Sequence, residues 1–180
     1  MRIIGGAWRG RNLAGPAGAT RPTADRVRQA LFDMLLHAPW GGRDVIEDAE
    51  VLDAFAGTGA LGLEALSRGA ARCCFLERER TAVTVLRANI AACRAEGRCS
   101  VVLCDVLGVA AGPAAGLVFL DPPYGQDLVP RAVAHLRSVG RIATGAMIVA
   151  ETGRDEPALP VPLLDERVHG AARLSVWRLD

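Results

Sequence analysis

The stretch from Val51 to Ala70 constrains the chain most. It reads Val-Leu-Asp-Ala-Phe-Ala-Gly-Thr-Gly-Ala-Leu-Gly-Leu-Glu-Ala-Leu-Ser-Arg-Gly-Ala. The apolar run of Val51, Leu52, Ala54 and Phe55 suits a buried strand. Ala56-Gly57-Thr58-Gly59 suits a tight turn, and Leu61, Leu63, Ala65 and Leu66 an apolar helix that stops at Gly69. Strand, glycine turn and helix form the opening unit of a nucleotide-binding α/β sheet. The spacing is not the Gly-x-Gly-x-x-Gly that aims a helix N-terminus at a diphosphate. Asp53, inside the strand and close to the turn, would repel a phosphate and suits a ligand with a cationic amino group. That combination points to S-adenosylmethionine rather than a dinucleotide.

At 180 residues, 51% of them hydrophobic, the chain is expected to form one domain with a real core, and a disordered chain is excluded. No apolar run is long enough to span a bilayer, and Met1 to Gly6 lacks the apolar core of a signal peptide, so a cytoplasmic location is expected. Cys73, Cys74, Cys93, Cys99 and Cys104 form no Cys-x-x-Cys pair and have no histidine at metal-ligand spacing. They read as reduced, mostly buried thiols, and no metal site is expected.

Net charge is only +1, but it is unevenly spread. Residues 1–43 carry Arg2, Arg9, Arg11, Arg21, Arg26, Arg28 and Arg43 against Asp25 and Asp33, while the remainder is net acidic. A basic N-terminal segment on a near-neutral body is the footprint of a polyanion partner, or else of a merely solvated arm. The glycines and prolines of residues 1–22 suggest a flexible or hairpin-like arm outside the core, with short strands at Ile3-Ile4 and Asn12-Leu13. Trp8 either packs this arm onto the body or stacks on a base. Residues 1–43 are therefore expected to be an extension to a catalytic domain over 44–180.

Downstream, Thr23 is expected to cap a helix with Val27, Ala30, Leu31, Met34 and Leu35 inward and Arg26 and Arg28 elsewhere. Glu50 to Phe55 is the first sheet strand and Ala60 to Arg68 its helix. Arg72 to Leu76 is a second strand ending at Glu77, a carboxylate placed to accept both hydroxyls of a ribose. Thr81 to Ala95 is a helix with Val85, Leu86, Ile90 and Cys93 inward. Ser100 to Leu103 is a strand followed by Asp105, which could accept from an adenine amino group. Leu117 to Leu120 is a fourth strand, Asp127 to Leu136 a helix, and Ala146 to Ala150 a fifth strand ending at Glu151. Leu163 to His169 and Ala172 to Leu179 form a hairpin turned at Gly170. Alternating strands and helices followed by a hairpin predict a mainly parallel sheet with an antiparallel edge.

The fourth strand runs into Asp121-Pro122-Pro123-Tyr124. Two prolines fix the backbone and remove two N–H donors, leaving the Asp121 carboxylate and the Pro122 carbonyl as acceptors beside the Tyr124 ring. Such a site suits a planar amine: the acceptors hold its N–H groups, the ring stacks on its plane, and the nitrogen lone pair is aimed at a methyl donor.

At this point the chain resembles the bacterial small-subunit ribosomal RNA guanine-N2 methyltransferases from end to end. The resemblance is carried by Arg2-Ile3-Ile4-Gly5-Gly6 with Arg9-Gly10-Arg11, by Arg21-Pro22-Thr23 with Asp25-Arg26-Val27-Arg28 and Leu31-Phe32, by Leu52-Asp53 through Gly59 with Leu61-Gly62, Glu64-Ala65 and Ser67-Arg68-Gly69-Ala70, and by Asp121-Pro122-Pro123-Tyr124. It implies a class I methyltransferase fold, Rossmann-like and seven-stranded, with S-adenosylmethionine as donor and N2 of one guanine in 16S ribosomal RNA as acceptor. It further implies a substrate in the small subunit or an assembly intermediate. By the same resemblance Asp53, Phe55, Gly57, Thr58 and Gly59 hold the donor with Glu77 at its ribose and Asp105 near its adenine. Asp121, Pro122 and Tyr124 meet the target base, and Arg9, Arg11, Arg26 and Arg28 meet RNA phosphates. Where many relatives have Tyr-Gly before the last strand, this chain has His169-Gly170.

Asp-Pro-Pro-Tyr serves adenine N6 methylation equally well, so an amino-methyltransferase of DNA or another RNA is the rival reading. A catalytically silent assembly factor is a second. The chain carries no obvious target-recognition domain for DNA, and the intact donor residues argue against a silent protein. With no large second domain, a monomer is expected.

Overall fold

The computed structural model describes residues 1–15 and 22–180. Arg21 and the capping role expected of the Thr23 side chain lie outside the described residues. Among those described, no helix is long and apolar enough to cross a membrane.

Seven strands form one sheet: β1 (Glu50–Asp53), β2 (Arg72–Glu77), β3 (Cys99–Leu103), β4 (Ala115–Leu120), β5 (Ile142–Gly153), β6 (Leu163–His169) and β7 (Ala172–Arg178), in the order β3-β2-β1-β4-β5-β7-β6. The first five in that order run parallel, and β7 pairs antiparallel with both β5 and β6. The helices are α1 (Pro22–His37), α2 (Ala60–Ser67), α3 (Arg80–Cys93) and α4 (Leu128–Ser138). The expected class I α/β architecture, with a mainly parallel sheet and an antiparallel C-terminal edge, is the one observed.

Strands buried on both faces explain why Leu117 to Leu120 reads as an unbroken apolar run. Val51, Phe75, Phe119, Met147 and Val149 meet Leu31, Phe32 and Leu35 of α1, Leu63 and Leu66 of α2, and Leu86 and Ile90 of α3 on one side. Leu52, Leu76, Val118, Leu120 and Ile148 meet Val129, Val133 and Leu136 of α4 on the other. Strand order reverses between β1 and β4, and in such sheets the crevice for ligands opens at the carboxyl ends of the strands beside that reversal.

Several expectations are corrected. β1 ends at Asp53 rather than Phe55, because the next residues divide between two neighbours: the Ala54 N–H donates to the Phe119 carbonyl and the Ala56 N–H to the Leu76 carbonyl. In α3 it is Val83, not Val85, that is buried, together with Asn89. β5 begins at Ile142, its start hidden in the sequence by the exposed Thr144 and Gly145, and runs through Glu151 because β7 keeps pairing with it to Gly153.

The largest correction concerns the N-terminal arm. Its hairpin character is as expected, with Arg2 bridging Asn12 and the Ile3 and Gly10 amides closing a turn. It is nonetheless part of the core, with Ile3 and Leu13 buried in the α1–α2–α3 layer. The side chain of Glu64 explains the docking: it accepts from the Ile4 N–H and the Gly5 N–H, each at 2.8 Å. Ser67 accepts from the Trp8 N–H at 2.9 Å and donates to the Gly5 carbonyl at 2.6 Å. Gly6 sits at φ +73°, where a Cβ would collide with the Ser67 carbonyl, so glycine is required for this close approach. Trp8 packs the arm onto the body, with the Arg98 guanidinium 5.0 Å from its ring centroid.

Candidate active site

The glycine turn is held from three directions. Asp53, fully buried beneath it, accepts from the Gly62 N–H of α2 at 3.0 Å. Glu77, at the end of β2, accepts from the Gly57 N–H at 2.8 Å through one oxygen and from the Glu79 N–H at 2.7 Å through the other. Asn89 of α3 donates to the Thr58 carbonyl at 2.9 Å, and its amide also exchanges hydrogen bonds with the backbone of Ala14. The arm, the turn and α3 are thus joined through one buried side chain.

A cavity of about 340 Å³ opens at the carboxyl ends of β1, β2, β3 and β4. Phe55, Gly57, Glu77, Asp105, Asp121 and Pro122 line it, so six of the residues singled out from the sequence converge on one space. Its size lies in the range of small-molecule sites, about 300–1,000 Å³. Val106, Leu107 and Leu128, none of them singled out from sequence, supply apolar walls suited to a flat heterocycle. Both Glu77 oxygens are oriented by backbone N–H groups and keep further lone pairs, as a ribose diol requires. Asp105 accepts from the Leu107 N–H at 2.8 Å with one oxygen, which fixes its carboxylate at the cavity edge. These residues fit a nucleoside-bearing methyl donor.

Asp53, Thr58, Gly59 and Tyr124 do not line that cavity. Gly59 starts α2 at φ +81°, where a Cβ would strike Leu86, so its contribution is to the turn itself. Tyr124 stands at the rim, 46% exposed, and its hydroxyl donates to Glu151 Oε1 at 2.6 Å. Beside it, Glu156 Oε1 accepts from both the Gly125 N–H at 3.0 Å and the Gly153 N–H at 2.9 Å, tying the segment after Tyr124 to the end of β5.

The charges at the strand ends are perturbed. Burial pushes the Asp53 carboxyl up to about 7; the Gly62 N–H opposes this and the charge of Glu77 adds to it. Asp121 reaches solvent through the cleft, yet desolvation by the surrounding protein, followed by the charges of Glu151 and Asp53, pushes it up to about 7 as well. Burial and the bond to Glu151 raise the Tyr124 hydroxyl. A carboxyl held near neutrality in a cleft is suited to proton transfer at physiological pH.

Of the arginines expected to meet phosphate, Arg9, Arg11 and Arg26 are exposed, Arg11 also donating to the Ala92 carbonyl. Arg28 is corrected: it is 5% exposed, donates to Asp25 at 2.9 Å and to the Arg2 carbonyl at 2.6 Å, and lies 3.8 Å from Glu64. It cannot face a polyanion because its guanidinium is turned inward onto Asp25, the Arg2 carbonyl and the side of Glu64 that Arg68 does not cover. Sequence reasoning passed over the contacts of two further acids, Glu64 with the N-terminal hairpin and Glu151 with Tyr124. Glu64 had a signal, as the sole charge in the apolar helix Ala60–Ser67.

The family profile described as conserved hypothetical protein 95 matches residues 1–177. The ribosomal RNA small subunit methyltransferase D of Escherichia coli K12 is 42% identical over 165 residues, covering 90% of this chain and 79% of that protein. A solved structure described as a putative methyltransferase, yhhF, from Escherichia coli superposes with a TM-score of 0.87 at 38% identity, covering 100% of this chain and 98% of that one. An RNA methyltransferase from Salinibacter ruber, solved in complex with S-adenosyl-L-homocysteine, shares the fold with a TM-score of 0.63 at 17% identity, covering 88% of this chain and 94% of its own.

Proposed function

The chain belongs to the conserved hypothetical protein 95 family, that of the ribosomal RNA small subunit methyltransferases D, and from that premise we propose that it methylates N2 of one guanine in 16S ribosomal RNA. It is a ribosomal RNA methyltransferase that takes S-adenosylmethionine as donor; the finer reading concerns the base and the atom. The observation that carries this reading is that Asp121 and Pro122 line the same cavity as Glu77 and Gly57, so an acceptor amine and a donor share one space.

Glu77 holds the ribose, Asp105 and the walls at Val106 and Leu107 hold the adenine, and Phe55 and Gly57 flank the donor's amino-acid end. Gly57 has open space where a Cβ would stand. Asp53 braces the turn from beneath through the Gly62 N–H. When bound, the donor supplies a methyl group on a sulfonium sulfur that leaves as a thioether. Asp121 and the Pro122 carbonyl accept the two N–H groups of the exocyclic amine and so direct its lone pair outward to the methyl carbon. As the N–C bond forms the nitrogen becomes acidic, and Asp121, held near 7, takes the proton. Tyr124 stacks on the base, which must be unpaired or flipped out of its helix to reach the cleft. Exposed Arg9, Arg11 and Arg26 hold phosphates nearby, so residues 1–43 engage RNA while 44–180 carry the chemistry. The substrate is the small subunit or an intermediate of its assembly, and the enzyme acts as a monomer.

The test is incubation with labelled S-adenosylmethionine and small subunits from a strain lacking the gene, with naked 16S RNA and duplex DNA alongside, followed by mass identification of the digested nucleosides. N2-methylguanosine from the subunit, and none from DNA, is the expected result. Methyladenosine would keep the fold and donor site but sink the guanine reading.

A further inference from the structure

The strand order sets three carboxylates side by side. Asp53 ends β1, Asp121 follows β4, and Glu151 lies in β5, the next strand over. Leu120 pairs with Ala150, so the next residues along, Asp121 and Glu151, are neighbours across the β4–β5 ladder. The charge of Glu151 acts directly on Asp121. Among the described residues neither forms an ion pair, although buried and half-buried acids elsewhere in the molecule do. Glu151 Oε1 accepts from the Tyr124 hydroxyl at 2.6 Å, which fixes both the ring and the rotation of the carboxylate. Its other oxygen, Oε2, takes no donor from the described residues. Two neighbouring acceptors, Asp121 lining the cleft and Glu151 beside it on the next strand, therefore keep lone pairs for donors from outside the protein.

We propose that Glu151 is the residue that distinguishes guanine from adenine, its Oε2 accepting the N1–H of the target base while Asp121 and Pro122 hold the N2 amine. This rests on the guanine-N2 reading above. Guanine carries two adjacent donors on its Watson–Crick edge, N1–H and the N2 amine, and a pair of neighbouring carboxylates matches both. Adenine carries its amine beside a bare N1 lone pair. With the adenine amine at Asp121, that lone pair would face the Glu151 carboxylate, two acceptors with no proton between them. The rejected base is thus excluded by repulsion as well as by a lost bond. The bond from Tyr124 serves the same end, since it holds Glu151 in the plane of the base on which the ring stacks.

The test uses small subunits reconstituted with either guanine or 2-aminopurine at the methylated position, once mapped. 2-Aminopurine keeps the N2 amine but has a lone pair at N1. The wild-type enzyme should transfer to guanine about ten- to hundredfold faster than to 2-aminopurine, the range spanned by one hydrogen bond to a charged group. In Glu151→Gln the carboxamide oxygen still accepts from Tyr124, while its NH2 now meets N1 as a donor. Its rate on guanine should fall at least about tenfold and its preference should shrink to within a few-fold or reverse. Affinity for S-adenosylhomocysteine, read by calorimetry, should be unchanged. If Glu151→Gln slowed both substrates equally, Glu151 would merely hold Tyr124 and the proposal would be wrong. A wild-type ratio near one would overturn it without any variant, which covers a Glu151→Gln protein that fails to fold. N6-methyladenosine from the wild type would overturn the guanine reading itself, an outcome distinct from an unaltered preference on a confirmed guanine.

Discussion

The molecule treats two sets of carboxylates in opposite ways. Glu64, fully buried under the N-terminal hairpin, accepts from two backbone N–H groups and from Arg68, with Arg28 close by. Among the described residues, Asp53 is as deeply buried yet has a single N–H partner, and Asp121 at the cleft has no cation; both are pushed up to about 7. A buried charge with a full set of partners fixes structure, because removing any partner strands the others. A charge that is desolvated and left short of partners sits near neutrality and can exchange a proton or receive a ligand. The difference separates a docking hub from the proposed reaction centre, built of the same side chains.

The sharpest way to break this contrast is at Asp121. Asp121→Asn keeps the shape and loses the proton acceptor, so the single-turnover transfer rate should fall by about 10²- to 10⁴-fold. Binding of S-adenosylhomocysteine and the melting temperature should hold. Full activity in a folded Asp121→Asn would remove it from the reaction. The converse change, Glu64→Ala, strands Arg28 and Arg68 and releases the Ile4 and Gly5 amides. It should cost ~3–5 kcal/mol of stability, the amount associated with breaking a buried ion pair. A thermal or urea melt measures this, and an unshifted midpoint would mean that the hub carries no load.

Much of the proposed reaction centre could be read from local sequence because its parts are short and contiguous. Asp53 to Gly59 and Asp121 to Tyr124 each carry their geometry within a few residues, and the parallel sheet places both at one edge. The docking hub could not be read this way. Ile4 and Gly5 meet Glu64 across 60 and 59 residues, and nothing in a run of glycines and arginines distinguishes a docked hairpin from a loose arm. Arg28 illustrates the same point: charge alone groups it with Arg26, yet Arg26 faces solvent and Arg28 a buried acid. In sequence Glu151 is an ordinary strand end; only the fold brings the Tyr124 hydroxyl, 27 residues earlier, onto it.

The two sets should also differ in their response to pH. Asp53 has a folded value near 7 against an unfolded value near 3.8, so the native state holds a proton that the unfolded chain has lost. Its contribution to stability is therefore present in full at low pH and is lost as pH rises from about 4 through 7. Asp53→Asn retains an oxygen for the Gly62 N–H and should flatten that decline, raising the melting temperature at pH 8 more than at pH 5. The transfer rate should run the other way, climbing toward a plateau above about 7 as Asp121 ionises. Because Asp53, Asp121 and Glu151 interact, the limb reports the group of acids together. A rate profile flat from pH 5.5 to 8.5 with chemistry limiting would contradict the proton-acceptor role.

The smallest expected effects are at the surface, and they test whether the arm divides as the structure divides it. Arg9→Ala and Arg26→Ala remove exposed guanidinium groups, so each should leave the melt within ~0.5 kcal/mol of wild type. Each should also lower the slope of log affinity for RNA against log salt by roughly one unit, as the loss of one phosphate contact does. Arg28→Ala should behave in the opposite way, losing stability through Glu64 and Asp25 while its salt slope, measured on the folded fraction, stays that of the wild type. Arg28 sits two residues from Arg26 on the same helix, so charge and sequence position are matched as closely as a chain allows. Only burial differs between them. If the two variants changed RNA binding alike, the interior placement of Arg28 would have no functional meaning. If they part as described, one arm of the protein serves both as a wall of the core and as an RNA-binding surface, divided between opposite faces of a single helix.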